Sequence, residues 1–227
     1  MNNFIHYEYK DSICHVTLDD GKVNCFSPAM MREFNSVLDQ ADKDGGVILM
    51  TGREGKFSAG FDLKVQEQGP EAWHEMAKMG AELAARVFAT KRPVVVACNG
   101  HAFAMASFIL CAATLRYGLD GPFKIGANEV AIGKAVPSYA IELMQHRLSG
   151  AYLTRAVTTA ELFSPSEAAA AGFLDFVVST PEELAEQSLA AATRLAEFPP
   201  EGYQETSARL RDPISSRVAS AIIANYG

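Results

Sequence analysis

The carboxylate of Glu129 lies in a part of the sequence where few other side chains could do acid–base chemistry. It sits between Gly126 and Gly133 in the run IGANEVAIG, and the upstream segment 93–115 contains no Asp, Glu, Lys or Arg. A carboxylate packed against apolar surroundings is harder to ionise, which raises its pKa toward the range of a general base. The alternative is a glutamate on a solvated surface loop. The choice between them depends on what surrounds Glu129 elsewhere in the chain.

Two segments rich in small residues each follow a candidate strand. The first, residues 56–63, reads KFSAGFDL, and the second, residues 99–108, reads NGHAFAMASF. Small residues at a strand-to-helix transition let a ligand approach backbone N–H groups. Two such groups that converge on one point form an oxyanion hole, whose donors need no particular side chain. Each segment alone is more typical of a structural turn, but both together with Glu129, in this order, indicate a specific site.

The elements that must position these residues alternate between strands and helices. Apolar alternation predicts one strand over residues 7–18, and the apolar run 93–98 predicts a strand buried on both faces. Ser164 and Thr180 each precede a proline and have a glutamate three positions on, which is the spacing of a capping box. The alternation predicts an α/β fold built around parallel strand pairing. The other expected elements are a helix from 27 to about 40, a strand at 47–51, helices at about 71–89 and 102–113, and a strand at 176–178.

The composition is that of an ordinary globular chain of 227 residues, 48% hydrophobic and 21% charged. The net charge of −7 argues against nucleic acid and membrane surfaces as partners. Four scattered cysteines without CxxC spacing, and five histidines without a ligand motif, predict reduced thiols, no metal and a cytoplasmic location. The N-terminus shows no secretory signal. Segment 93–115 is long enough to span a membrane, but turn formers at 99–101 interrupt it.

The three segments together resemble the enoyl-CoA hydratase/isomerase family, the crotonase superfamily. The resemblance runs from residue 7 to about 211 and rests on the loop 57–63, the strand 92–97, the Asn99-Gly100 turn and segment 168–178. Members fold as a spiral of ββα units with a helical C-terminal segment, act on acyl-CoA thioesters without a further cofactor, and form trimers or paired trimers. The resemblance implies a spiral core at 1–180 and a shortened helical segment at 181–227. It also implies an oxyanion hole made by the backbone N–H groups of Phe61 and Met105.

The sequence departs from the hydratases of this family at one of their two catalytic glutamates. Phe108 stands where those hydratases carry the first glutamate, and the usual glycines are absent at 104–106. Glu129 fills the second position, and its context, with Pro137 downstream, resembles the single-carboxylate Δ3,Δ2-enoyl-CoA isomerases. One base can move a double bond by taking a proton from C2 and returning it at C4, whereas hydration asks for two positioned groups. An isomerase is therefore favoured, while a hydratase or other acyl-CoA lyase and a non-catalytic acyl-CoA-binding protein stay open.

Several other residues are candidates for binding the substrate. Lys56, and with it Lys64, could meet the CoA phosphates as point charges, although solvated surface lysines are equally common. Asp62 is expected to brace the oxyanion loop. His101 is interpreted as a pocket-wall or core residue, and Ser107 as a packing serine because the Gly-x-Ser-x-Gly context is absent. The predicted substrate-binding set is Lys56, Ala59, Gly60, Asp62, Phe108 and Pro137.

Apolar residues on the late helices predict a surface that neighbouring subunits would bury. We expect a homotrimer or hexamer on this basis and on the family resemblance. The residues in question are Leu184, Leu189, Ala192 and Leu195.

Overall fold

The computed structural model describes residues 4–227, in which strands and helices alternate along the chain. The strands are β1 (Ile5–Lys10), β2 (Ile13–Leu18), β3 (Cys25–Phe26), β4 (Val47–Gly52), β5 (Gly60–Phe61), β6 (Val94–Cys98), β7 (Ala102–Phe103), β8 (Leu115–Leu119), β9 (Ile125–Gly126) and β10 (Phe176–Val178). The helices are α1 (Pro28–Asp44), α2 (Pro70–Ala89), α3 (Met105–Ala112), α4 (Ser138–Arg147), α5 (Gly150–Thr158), α6 (Pro165–Ala171), α7 (Pro181–Ala196) and α8 (Pro200–Tyr226). Two 3-10 turns, at Leu63–Gln68 and Val130–Ile132, complete the set.

The main sheet has six strands in the order β1-β2-β4-β6-β8-β10. β1 and β2 pair antiparallel, and every later pair of neighbours is parallel. Two short parallel pairs, β3 with β5 and β7 with β9, form beside this sheet. The strands therefore advance as repeated ββα units, and helices α7 and α8 follow the last strand. This arrangement confirms the predicted α/β spiral with a helical C-terminal segment.

Strand β6 lies between two hydrophobic cores, which explains its uninterrupted apolar sequence. Val94 and Val96 point into the larger core, which the helices α1 to α6 cover, and Val95 and Ala97 point into a smaller core beneath α7. Helix α8 then packs across α2 and α4 on the side of the larger core. The main sheet is thus covered by helices on both faces.

Most of the apolar residues of α7 pack against the chain's own sheet. Leu184 and Ala192 are 3% and 0% exposed against the smaller core, and only Leu189 is largely exposed, at 42%. The prediction that this set of residues faces neighbouring subunits was therefore wrong for Leu184 and Ala192. A hydrophobic stripe on a late helix cannot by itself distinguish a subunit contact from packing on the chain's own sheet.

The strand predicted over residues 7–18 is a hairpin. Asp11 and Ser12, with φ of 52° and 60°, form a tight left-handed turn between β1 and β2. Such turns favour Asn-Gly or Asp-Gly, so Asp-Ser carries a weaker signal and the apolar alternation appears continuous across it. The turn reverses the chain and places β1 at the edge of the sheet.

The charge-free segment 93–115 forms β6, a turn, β7 and α3. The helix predicted from residue 102 begins instead at Met105, because Ala102 and Phe103 pair with β9. Within residues 4–227, no helix is both long enough and apolar enough to cross a membrane. The segment is thus accounted for by buried strand and helix.

The capping signals define the starts of the late helices. At α6, Ser164 and Glu167 bond reciprocally to each other's backbone N–H, which confirms the predicted capping box. At α7, Thr180 accepts a hydrogen bond from the N–H of Glu183, but the Glu183 carboxylate accepts from Ser179 at 2.9 Å instead of from Thr180. Only half of the second box is formed. Helix α1 begins after Ser27 as expected and runs four residues beyond 40, to Asp44.

Candidate active site

A cleft of about 430 Å³ opens between α2, the two 3-10 turns and the last turn of α8. We call it the Glu129 cleft, because Glu129 is the only carboxylate among the described residues that line it. Its remaining walls are mostly apolar, with aromatic side chains from Trp73 and Tyr226. A concave apolar cleft with few polar groups is the usual form of a small-molecule site.

Glu129 is held by a compact turn directly after β9. Its backbone carbonyl accepts hydrogen bonds from Ile132 at 3.0 Å and from Lys134 at 2.9 Å, which fixes the residue at the start of the 3-10 turn. The residue is only 7% exposed, and neither carboxylate oxygen has a hydrogen-bond partner among residues 4–227. Burial raises the pKa of Glu129 from 4.5 to about 7, because the charged form loses its hydration. A carboxylate in this state can accept or release a proton near neutral pH.

Two tyrosines lie close to this carboxylate. Tyr139, on α4, is fully buried, and its hydroxyl donates a hydrogen bond to Met105 Sδ at 3.9 Å. Tyr226 is the last residue of α8, and its ring lies 6.5 Å from that of Tyr139. Burial is the largest cause that raises the pKa of both phenols. The charge of Glu129 adds to it at Tyr226, and Tyr226 and then Glu129 add to it at Tyr139. Both tyrosines are therefore neutral when Glu129 titrates.

The two predicted oxyanion segments lie side by side. Ser58 bridges to Ala102, and the N–H of Ser58 bonds to the carbonyl of His101 at 2.9 Å. A side chain at Gly60, where φ is +87°, would come within 2.6 Å of the Phe103 carbonyl oxygen. Only glycine therefore allows the two segments to approach this closely. The approach brings Phe61 of β5 next to the start of α3.

Met105 is the first residue of α3. A backbone N–H in the first turn of a helix has no acceptor within that helix. Ala104, directly before it, has φ of 48° and ψ of −119°, a conformation that favours glycine, and it also lines the cleft. Helix α3 thus begins abruptly at the cleft wall. The predicted donors Phe61 and Met105 occupy positions suited to that role, which stays a prediction.

The other predicted binding residues differ in whether they line the Glu129 cleft, lie buried behind its wall, or lie outside it. Ala59 and Pro137 line the cleft, and Gly60 is buried beneath its wall. Phe108 is fully buried behind the wall, where its ring lies 5.9 Å from that of Tyr139 in an edge-on arrangement, so it does not touch the cleft directly. Lys56 is exposed and stands outside the cleft wall.

Asp62, His101 and Ser107 each have a local structural partner. The Asp62 carboxylate accepts a hydrogen bond from the N–H of Lys64 at 3.1 Å and so caps the first 3-10 turn, as expected of a brace for the loop. His101 Nδ1 accepts from the N–H of Lys124 at 2.9 Å, outside the cleft. The Ser107 hydroxyl donates to the Ala104 carbonyl at 2.8 Å, which fits a packing serine.

Several residues of the cleft wall were not predicted as site residues from the sequence, among them four with aromatic or charged side chains. Trp73 and His74 come from α2, Lys134 from the turn after Glu129, and Tyr226 from the end of α8. The single tryptophan and a lysine five positions after Glu129 were visible signals. Tyr226 lies 97 positions from Glu129 in the sequence, and no local pattern links the two. Within residues 4–227 no cluster of side chains suited to a metal ion occurs.

The parallel spiral and its cleft define the chain as an α/β enzyme of the crotonase type. A family model described as enoyl-CoA hydratase/isomerase matches residues 8–226. The chain belongs to the enoyl-CoA hydratase/isomerase family, and its members include enzymes named as isomerases and as hydratases.

The relatives carry names from both reactions. A family protein from Pseudomonas syringae is 39% identical, with a TM-score of 0.95 and coverage of 98% of this chain and 96% of that one. A Mycobacterium tuberculosis protein, named an enoyl-CoA isomerase in one solved structure and a probable enoyl-CoA hydratase in another, is 36% identical, and the first of these structures has a TM-score of 0.93 with coverage of 99% of this chain and 98% of that one. Human mitochondrial enoyl-CoA delta isomerase 1 is 29% identical over 203 residues, covering 87% of this chain and 67% of the relative. Other relatives are named carnitinyl-CoA dehydratase and probable enoyl-CoA hydratase.

Proposed function

We propose that the protein is an enoyl-CoA isomerase that moves a double bond along the acyl chain of a CoA thioester. One observation carries the proposal: Glu129 is the only carboxylate among the described residues lining the cleft. Phe108, which by the family resemblance stands where hydratases carry a second carboxylate, is fully buried outside the cleft lining. A phenyl ring cannot accept a hydrogen bond from water as a carboxylate does. A cleft with one carboxylate is therefore better suited to proton transfer by a single base than to addition of water.

The proposed reaction uses Glu129 twice. The backbone N–H groups of Phe61 and Met105 bind the thioester oxygen, and Glu129 removes a proton from C2 of a 3-enoyl thioester. The C2–H electrons form an enolate whose negative charge lies on the bound oxygen. The protonated Glu129 then delivers the same proton to C4, and the double bond moves from C3–C4 to C2–C3. No proton or electron is gained or lost overall.

The state of Glu129 suits this double role. A pKa of about 7 makes both its protonated and its ionised form accessible at neutral pH. Neither oxygen is committed to another residue among those described, so the carboxyl group is free to turn from C2 toward C4. The relatives named as isomerases support the proposal, and those named as hydratases or dehydratases define the alternative.

The Glu129→Gln variant tests the assignment of the base. Removing a general acid–base group costs roughly 10²- to 10⁴-fold in rate. We expect kcat for a 3-enoyl-CoA to fall by about that factor. Binding of a saturated acyl-CoA, measured by calorimetry, should change little, because the proposed oxyanion donors are backbone groups.

Glu71→Gln is the matched control, because Glu71 lies in the first turn of α2, is exposed and does not line the cleft. It should keep the wild-type rate. If Glu129→Gln retains more than about a tenth of the wild-type kcat, a loss of only ~1.4 kcal/mol, Glu129 is not the base.

A further inference from the structure

Lys134 places a positive charge on the wall of the Glu129 cleft. Its Nζ lies 3.8 Å from the centroid of the Trp73 ring, and the residue is half-buried. Among residues 4–227, no carboxylate lies within salt-bridge distance of this ammonium group. A cation over an aromatic face is held in position while its N–H donors remain available. The cleft wall therefore presents a fixed cation without an anionic partner.

The ammonium group of Lys134 does not serve Glu129. Neither Glu129 carboxylate oxygen has a hydrogen-bond partner among residues 4–227, and the pKa of Glu129 is raised by burial, with no contribution from Lys134. The other titratable side chains lining the cleft are His74 and Tyr226, and neither carries a carboxylate that could pair with Lys134. The Lys134 ammonium group is therefore available to bind a group on the ligand.

The backbone limits which part of the ligand Lys134 can reach. Its N–H is bonded to the Glu129 carbonyl at 2.9 Å, so both residues belong to one turn. In the proposed reaction Glu129 stands at C2 and C4 of the acyl chain. The phosphates of CoA lie beyond the whole pantetheine arm on the other side of the thioester. A group bound by Lys134 is therefore part of the acyl chain.

We infer that the substrate is a CoA thioester whose acyl chain ends in a carboxylate, which the Lys134 ammonium group binds while Trp73 holds the ammonium in place. This inference rests on the proposed function, since it locates the acyl chain beside Glu129. A plain alkyl chain would cover the ammonium group without pairing it, which is unfavourable. An acyl chain with a quaternary ammonium group would meet like charge, on an aromatic face that Lys134 already occupies.

The test compares two saturated thioesters that cannot react, glutaryl-CoA and pentanoyl-CoA, which differ in a terminal carboxylate against a methyl group. Calorimetry gives Kd for each with the wild type, Lys134→Met and Lys134→Arg. Lys78→Met is the matched control, because Lys78 lies on α2 with Trp73 but does not line the cleft.

We expect the wild type to prefer glutaryl-CoA, and Lys134→Met to weaken glutaryl-CoA binding about tenfold or more, as for a lost charge-assisted hydrogen bond. Pentanoyl-CoA binding should not weaken in Lys134→Met, because methionine removes the charge that an alkyl chain would cover. Lys134→Arg should keep the preference, and Lys78→Met should match the wild type.

Two results would overturn the inference while leaving the proposed function intact. One is a wild type that binds pentanoyl-CoA more tightly than glutaryl-CoA. The other is an equal loss for both ligands in Lys134→Met, which would assign Lys134 to the CoA phosphates or to packing. If neither thioester binds at all, the proposed function fails together with the inference.

Discussion

Glu129 shows how much of a site can be predicted at the scale of one residue. The apolar sequence around it predicted a pKa raised by burial, and the structure gives about 7. The sequence could not show that both carboxylate oxygens lack partners among residues 4–227, because that depends on the packing of α4 and α8. Composition near a residue can predict desolvation, but the presence or absence of hydrogen bonds depends on the fold.

The raised pKa of Glu129 makes a prediction about stability. An unfolded glutamate ionises near 4.5 and the folded one near 7, so the folded state holds an extra proton between these values. Stability is therefore lost as pH rises from about 4.5 to about 7, by about 3 kcal/mol in total. Glu129→Gln removes the ionisation. Denaturant unfolding should show the variant equal to wild type at pH 4 and more stable by up to about 3 kcal/mol at pH 8.

The opposite pH dependence would contradict this account. A Glu129→Gln variant that is less stable than the wild type at pH 8 would mean that the ionised carboxylate has favourable partners in solution. The exposed Glu71→Gln should show no such pH-dependent gain.

Ala104 is the second informative residue, because its backbone adopts a conformation that residues with a Cβ normally avoid. Its φ of 48° and ψ of −119° are unfavourable for any residue with a Cβ. Its N–H bonds to the Gly126 carbonyl at 3.0 Å, and its carbonyl accepts from Ser107 and Phe108. These bonds hold the strained residue at the end of β7, directly before the proposed donor Met105. Strain of this kind concentrates at functional sites.

At the scale of elements, the sequence predicted helix caps correctly but did not predict which strands pair. The caps at Ser27 and Ser164 were predicted correctly, because a cap depends on residues within one turn. The turn at Asp11 and the start of α3 were missed. Both depend on strand partners, β2 for β1 and β9 for β7, that no short window of sequence contains.

Helix α4 receives its N-terminal cap from a distant element, which gives an element-scale prediction. Pro137 stands at the cap position and has no side-chain acceptor, and Asn225 Oδ1 instead accepts from the N–H of Ser138 at 3.1 Å. Asn225→Ala should lower the free energy of unfolding by about 1 kcal/mol, the usual worth of a cap. Denaturant unfolding measures this loss.

Asn225→Asp is the matched control, because it keeps an acceptor oxygen and adds negative charge at a helix N-terminus. It should retain wild-type stability. If Asn225→Ala and Asn225→Asp both unfold at the wild-type denaturant concentration, the contact does not act as a cap. Because Tyr226 follows Asn225 and lines the cleft, the same contact also holds that wall in place.

At the scale of the whole molecule, the two most exposed large apolar side chains lie on α8. Leu210 and Ile223 are 61% and 70% exposed, and Ile222 and Val218 lie with Ala85 along a groove between α2 and α8. Large exposed apolar side chains of this kind mark association surfaces. We therefore keep the prediction of a trimer or hexamer and assign its contacts to α8 in place of α7.

Sedimentation of the wild type at micromolar concentration should show trimers or hexamers, and Ile223→Asp should shift the distribution to smaller species. Lys78→Asp, a charge change on α2, serves as the control and should leave it unaltered. A wild type that sediments as a monomer would contradict the prediction.

The cleft is assembled from distant helices, which is why the sequence did not predict all of the residues that line it. The resemblance predicted that Glu129, Phe61 and Met105 are neighbours, since family motifs carry long-range information. Trp73 and Tyr226 reach the same cleft from α2 and from the end of α8. Their positions follow from how α8 packs across α2 and α4, which depends on the whole fold.

The most direct test of the proposed function measures which reaction the wild-type protein performs faster. A 3-enoyl-CoA and crotonyl-CoA are supplied separately at equal concentration, and the products are separated and quantified. Because Glu129 is the only carboxylate among the described cleft residues, we predict rapid formation of the conjugated 2-enoyl-CoA with little 3-hydroxyacyl-CoA. Faster hydration of crotonyl-CoA than isomerisation of any 3-enoyl-CoA would contradict the single-carboxylate mechanism and assign the protein to the hydratases.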